Sequence, residues 1–259
     1  MIFTLSGLPS TKTCTALSNI QIKKSKYHVP KQNILLETEF LHPLIKGVDI
    51  SPFHVEVSNL IVPFPYDEKE PKIPITVTEL TKRAPRLASF YQNNRELILA
   101  QTGYNEKIIG NKGEFYALAR VGAYSYAENY VVFRDNTKWG AAVVSTINTH
   151  WGGAKRPLFQ NHAVSICEDN EGRFISYDEA HYICGILNTP VVAQYILQSS
   201  DARSFPIRPR VSIPKYDDTN REHVVICALS KEAHEKYNEP DEITRILSEL
   251  NRLYVNLDL

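Results

Sequence analysis

Residues 160–216 read QNHAVSICEDNEGRFISYDEAHYICGILNTPVVAQYILQSSDARSFPIRPRVSIPKY, and this stretch decides how the chain is interpreted. Ala163, Ser165 and Cys167 alternate with Val164 and Ile166, which predicts a strand. Gly172 turns the chain. Asp178 stands at an N-cap position before Ala180, Ile183, Ile186 and Leu187 at helical spacing. Pro190 ends that helix and suits the first turn of another over 191–198. In DARSFPIRPR (201–210), Pro206 and Pro209 forbid regular structure, and Arg203, Arg208 and Arg210 face a single acid, Asp201. A helix hairpin that delivers a stiff cationic loop suits the gripping of a polyanion. Arg208 and Arg210 project to the same side of an extended chain. Arg203 has two readings, an ion pair with Asp201 or a contact to DNA.

Upstream, residues 131–133 predict a buried strand, 134–140 a turn and 141–147 a second strand, a hairpin at the centre of a mixed sheet. Tyr116, Tyr124, Tyr126 and Tyr130 crowd the approach to it. The connection NTHWGGAKRP (148–157) sets Gly152 and Gly153 beside Lys155 and Arg156, a mobile cationic loop that would order on DNA. Residues 78–101 predict a long helix broken at Pro85, whose Lys82, Arg83, Arg86 and Arg95 face either phosphate or solvent. Residues 36–46 carry Leu36, Phe40, Leu41, Leu44 and Ile45 on one helical side, with Pro43 kinking or ending the helix. Glu37 and Glu39 would diverge by about 200° on such a helix, which predicts surface or capping roles and no shared metal. Residues 2–5 and 20–27 predict strands around SGLPSTK (6–12), where Ser10, Thr11 and Lys12 either touch phosphate or form a solvated loop. SNLIVPFP (58–65) predicts a core strand and 67–74 a proline-bounded linker. Two charged helices, near 222–237 and 241–253, close the chain, the second with Ile243, Ile246, Leu247 and Leu250 as a docking stripe.

These elements predict an α+β fold, a mixed β-sheet with peripheral helices and a helical C-terminal section. The 259 residues suffice for one large or two small domains. No apolar run reaches the roughly 18 residues of a membrane span, and MIFTLSGLPSTK lacks the basic start of a signal peptide. Four scattered cysteines, Cys14, Cys167, Cys184 and Cys227, form no CxxC pair, which fits reduced thiols in a cytoplasmic protein. The net charge of zero hides a polarity: residues 1–36 hold five lysines and no acid, whereas 216–259 hold five basic and ten acidic residues.

GILNTPVVAQYI (185–196) and SSDARSFPIRPRVSIPKYD (199–217) resemble the end of the TaqI-like C-terminal specificity domain. That domain is the target-recognition part of adenine-N6 DNA methyltransferases and of fused type II restriction-modification enzymes. LETEFLHPLIKGVDI (36–50) is similar to the family's E-x-E-F-L-x-P-L-I-K-G segment. FYALAR (115–120) is similar to its W-Y-x-L-x-R, with Phe115 in place of tryptophan and Leu187-Asn188-Thr189 in place of its LNS. The resemblance implies a DNA target-recognition domain over 1–215, with 216–259 as a helical cap packed on it. It implies double-stranded DNA and a catalytic methyltransferase or endonuclease domain or subunit as partners. Lys12, Arg83, Arg86, Arg120, Lys155, Arg156, Arg203, Arg208 and Arg210 are the candidate DNA contacts. Tyr116 and Arg120 either read bases or belong to the core.

Catalytic motifs are missing from the sequence. No glycine-rich strand-to-helix turn follows a strand, no Asn/Asp-Pro-Pro-Tyr/Phe tetrapeptide occurs, and there is neither a P-loop nor a G-x-S-x-G elbow. The chain is therefore expected to hold no cofactor of its own. S-adenosylmethionine, and Mg²⁺ where cleavage occurs, belong to the partner. Two alternatives remain: a metal-dependent endonuclease with a degenerate magnesium site around Asp49 and Glu56, and a protein–protein adaptor.

Overall fold

The computed structural model describes residues 1–21, 29–100, 113–136, 138–160, 162–200 and 210–257. Strands β1 (Phe3–Leu5), β2 (Cys14–Asn19), β3 (Asn33–Glu37), β4 (Leu41–Ile45), β5 (Ile50–Ser51), β6 (His54–Val55) and β7 (Ile61–Pro63) come first. Helices α1 (Val77–Arg83), α2 (Pro85–Asn93) and α3 (Arg95–Ala100) follow. Next come β8 (Tyr130–Arg134), β9 (Ala141–Val144), β10 (Ile147–Thr149), β11 (Gly153–Lys155), β12 (Leu158–Phe159) and β13 (Ala163–Ile166). Helices α4 (Tyr177–Leu187), α5 (Pro190–Gln198), α6 (Arg221–Glu235) and α7 (Pro240–Val255) complete an α+β fold.

The chain divides into two interleaved compact units. Unit 1 comprises Met1–Leu44, Asn59–Tyr126 and Ile147–Leu158; unit 2 comprises Ile45–Ser58, Ala127–Thr146 and Phe159–Leu259. In unit 1 the sheet order is β12-β4-β7-β1-β2-β3. Phe3, Leu17, Leu36 and Ile61 are buried with Leu80, Leu87 and Phe90 of α1 and α2 in one core. Successive strand residues point to opposite faces. Thr4 pairs with Ser18, and Ser18 with Asn33, so these three share the face away from Phe3 and Leu17.

Several sequence expectations give way here. Residues 36–46 form no helix; they run from the end of β3 through a 3₁₀ turn at Thr38–Phe40 into β4. Pro43 has no N–H to give a helix, and in β4 it lies opposite Ile61 with its ring buried. The strand expected at 20–27 falls largely on 22–28, outside the described residues, and the strand observed is Cys14–Asn19. Residues 148–157 hold a tight hairpin of β10 and β11 rather than a free loop, with Gly153 at φ 68. The break at Pro85 is where the sequence puts it, with α1 ending at Arg83 and α2 beginning on the proline.

In unit 2 the sheet order is β13-β8-β9. Val131, Phe133 and Ala141 pack with Tyr182 and Ile186 of α4 and with Ile226, Leu229, Ile246 and Leu250 of α6 and α7. The boundary expected between residues 215 and 216 lies inside this unit. Helix α4 is capped by Ser176 and not by Asp178: the Ser176 hydroxyl accepts from Glu179 N while the Glu179 carboxylate accepts from Ser176 N. The β5–β6 hairpin places Phe53, at φ 59 and only 1% exposed, against Ala141, whose carbonyl accepts from Phe53 N at 2.8 Å.

Candidate nucleic-acid interface

The Glu37–Phe40 turn of unit 1 gathers most of the candidate DNA contacts. At its start the Glu37 carboxylate accepts from the backbone amides of Arg86 and Leu87, both at 2.9 Å. This supplies α2 with the acceptor that its N-cap residue, Ala84, has no side chain to offer. The capping role expected for a glutamate here is therefore realised, on another helix. Thr38 donates its N–H to Thr13 O and shares a hydroxyl contact of 2.7 Å with Thr15.

Cations surround the turn, and most are held by acceptors. The Arg83 guanidinium donates to Glu39 at 2.8 Å and Asp67 at 3.0 Å, and lies over the Phe40 ring. These two carboxylates, Glu39 first, raise its pKa further. The Lys155 ammonium donates to the carbonyls of Thr38 at 2.7 Å and Glu39 at 3.2 Å. Burial lowers the Lys155 pKa, against the opposing pull of Glu39. Arg156 pairs with Glu68 at 3.5 Å, covers the Tyr126 ring, and accepts at its own carbonyl from His42 Nδ1.

Lys12 and Arg86 differ from these. Both side chains are exposed and have no acceptor among the described residues. Lys12 sits on a loop that shapes itself: the Thr11 hydroxyl accepts from Cys14 N and the Ser10 hydroxyl from Ala16 N, each at 3.0 Å. The hydroxyls considered for phosphate are thus positioned by the loop's own backbone, and each keeps its proton to give. Lys12 and Arg86 lie at the same end of the sheet, because Cys14 is the register partner of Glu37, whose carboxylate binds the Arg86 amide.

Arg120 is exposed at φ 53. Tyr116, proposed beside it as a base reader, belongs to the core: it is 3% exposed, stacks on Tyr91 and donates its hydroxyl to Ile75 O. Arg210 is exposed in unit 2. Arg203 and Arg208 lie outside the described residues. Of the carboxylates that organise the cations, Glu37 and Glu39 were expected only in surface or capping roles and Asp67 and Glu68 escaped sequence reasoning, because their partners are distant in the chain.

The other chemical candidates are built into turns and core. The Asp49 carboxylate accepts from Lys46 N at 2.7 Å and from the Ser58 hydroxyl at 3.3 Å, while Glu56 turns to His54. Among the described residues, no group of three or more His, Cys, Asp or Glu side chains is placed to hold a metal ion. Ser230 Oγ lies 3.2 Å from His181 Nδ1, a nucleophile–base spacing, but these residues are 0% and 2% exposed and no substrate reaches them. Among the described residues, no helix is long and apolar enough to cross a membrane. No protein-family model matches the sequence, and no curated protein matches it.

Proposed function

We propose that this chain is a DNA target-recognition module of a restriction-modification system, working in the cytoplasm beside a catalytic adenine-N6 methyltransferase or endonuclease. The observation that carries this reading is the convergence of Lys12, Arg83, Arg86, Lys155 and Arg156 about one turn of unit 1. Lys12 and Arg86 meet the phosphate backbone. Arg83, Lys155 and Arg156 fix the shape of the surface between them, since their charges are already engaged. Arg120 and Arg210 are further exposed contacts. The resemblance to TaqI-like specificity domains supports the same reading, and S-adenosylmethionine and Mg²⁺ then belong to the catalytic partner.

Fluorescence anisotropy with a short duplex tests it. Affinity should fall steeply as salt rises, and removing two phosphate contacts in a Lys12→Ala/Arg86→Ala variant should reduce the log–log salt slope by about 2. An absence of binding at low salt, or an unchanged slope in the double variant, overturns the assignment.

A further inference from the structure

An open groove of about 420 Å³ lies on the β1-β2-β3 part of the unit 1 sheet, and Thr4, Ser6, Ser18, Lys31 and Asn33 line it. Every described residue of its wall comes from between positions 4 and 33. That span lies within the first 36 residues, which contain five lysines and no aspartate or glutamate. Among the described residues the wall carries one cation, Lys31, and no carboxylate, unlike the turn at Glu37–Phe40, where carboxylates are interleaved with the cations.

Its polar groups fall into two sets. Asn19 and Gln21 are committed to the fold: the Asn19 amide donates to Pro30 O and accepts from Gln32 N, and the Gln21 amide donates to Val29 O. The others are available. Lys31 is exposed and makes no ion pair among the described residues. Ser6 Oγ accepts from Leu8 N, which leaves its own proton to give. Ser18, 7% exposed and paired in register with Thr4 on one side and Asn33 on the other, has a buried hydroxyl with no hydrogen-bond partner among the described residues. A buried hydroxyl left in that state destabilises the fold, so its persistence calls for an explanation. One χ1 step would turn it toward a ligand in the groove.

We propose that this groove binds a single phosphate group, with the Lys31 ammonium supplying the charge and the hydroxyls of Thr4, Ser6 and Ser18 donating to its oxygens. Hydrogen bonds to an ionised acceptor are the strong ones, and a site with one ammonium and several hydroxyls matches the size and charge of one phosphate. The site stands whether or not the chain recognises DNA. The phosphate belongs either to a small phosphorylated molecule or to a nucleic-acid backbone.

Titration of inorganic phosphate into the intact chain, followed at backbone amides by NMR, tests the proposal. Saturable shifts are expected at Thr4, Ser18 and Asn33. Lys31→Met should weaken binding about tenfold and Lys31→Arg should largely restore it. Ser18→Ala should weaken it roughly threefold without lowering the thermal midpoint, because the fold loses no hydrogen bond and is relieved of an unsatisfied hydroxyl. Shifts that never saturate, or equal affinity in Lys31→Met, overturn the proposal. A duplex that competes with inorganic phosphate identifies a nucleic-acid backbone as the source; one that does not compete identifies a small molecule. The Lys12→Ala/Arg86→Ala variant should keep its phosphate affinity, so failure of the DNA reading and failure of this site are separable.

Discussion

Glu37 ends a strand and caps a helix that starts far along the chain. Its two oxygens take the amides of Arg86 and Leu87, where Ala84 offers nothing. Glu37→Ala should therefore lower stability by about 1 kcal/mol, the usual worth of an N-cap acceptor, and Glu37→Gln by less. Urea denaturation checks this: the midpoint should drop while the slope stays constant. Two histidines act on stability through pH. His42 donates to the Arg156 carbonyl in a buried site, and burial moves its pKa down to about 4. Burial, then the nearby His234 and Lys231, moves that of His181 down to about 3. Both are neutral in the fold, whereas in the unfolded chain each takes up a proton near pH 6.5. The unfolded state then binds more protons, so their contribution to stability is complete above about pH 6.5 and is lost as the pH falls toward 4 and 3. Each histidine adds a slope of about 1.4 kcal/mol per pH unit in that window. In His42→Phe, whose ring can keep the edge contact with Phe64, the slope should be shallower by about one proton. Equal slopes in variant and parent would contradict the assignment.

At the scale of elements, helix hairpins were the most legible part of the sequence. Pro85 and Pro190 each open a helix where the sequence places them, because proline's fixed φ acts locally and needs no tertiary partner. The stretch 36–46 misled because Leu36, Phe40, Leu41, Leu44 and Ile45 suit a helical face as well as a bent strand pair, and only pairing with Ile61–Pro63 decides between them. Strand β2 was missed for a related reason: all six of its residues are buried, so CTALSN shows no alternation of polar and apolar residues. The candidate interface was legible in its cations and illegible in its carboxylates, since ion pairs such as Arg83–Glu39 join distant segments. The β5–β6 hairpin supplies a further test. A Cβ on Gly140 would stand 2.7 Å from the Pro52 backbone nitrogen, a contact that no side-chain motion relieves. Gly140→Ala should destabilise the fold by about 1–3 kcal/mol, measured by calorimetry or denaturant titration. A neutral result would mean that the hairpin tip yields at little cost.

On the scale of the whole molecule, the two units differ in how they depend on the C-terminal helices. Ile226, Cys227, Leu229 and Ala233 of α6 and Ile246, Leu250 and Leu253 of α7 are all buried in the core of unit 2. A chain ending at residue 215 would leave that core uncovered and should populate expanded or aggregating states, with native near-ultraviolet circular dichroism lost from Trp139. Unit 1 contributes none of its segments beyond Leu158, so its amide signals should persist in the shortened chain. Loss of both sets of signals together would show that the units fold as one cooperative block.

The interleaving of the units also sets a timetable for synthesis. The chain passes from one unit to the other five times, and the last segment of unit 1 ends at Leu158 while unit 2 continues through its final helix. As the polypeptide leaves the ribosome, the acid-free groove and the turn around Glu37 can be finished while two short pieces of unit 2, Ile45–Ser58 and Ala127–Thr146, still wait for their partners. Those surfaces of unit 1 would then be presented to the cell before residues 159–259 of unit 2 are translated.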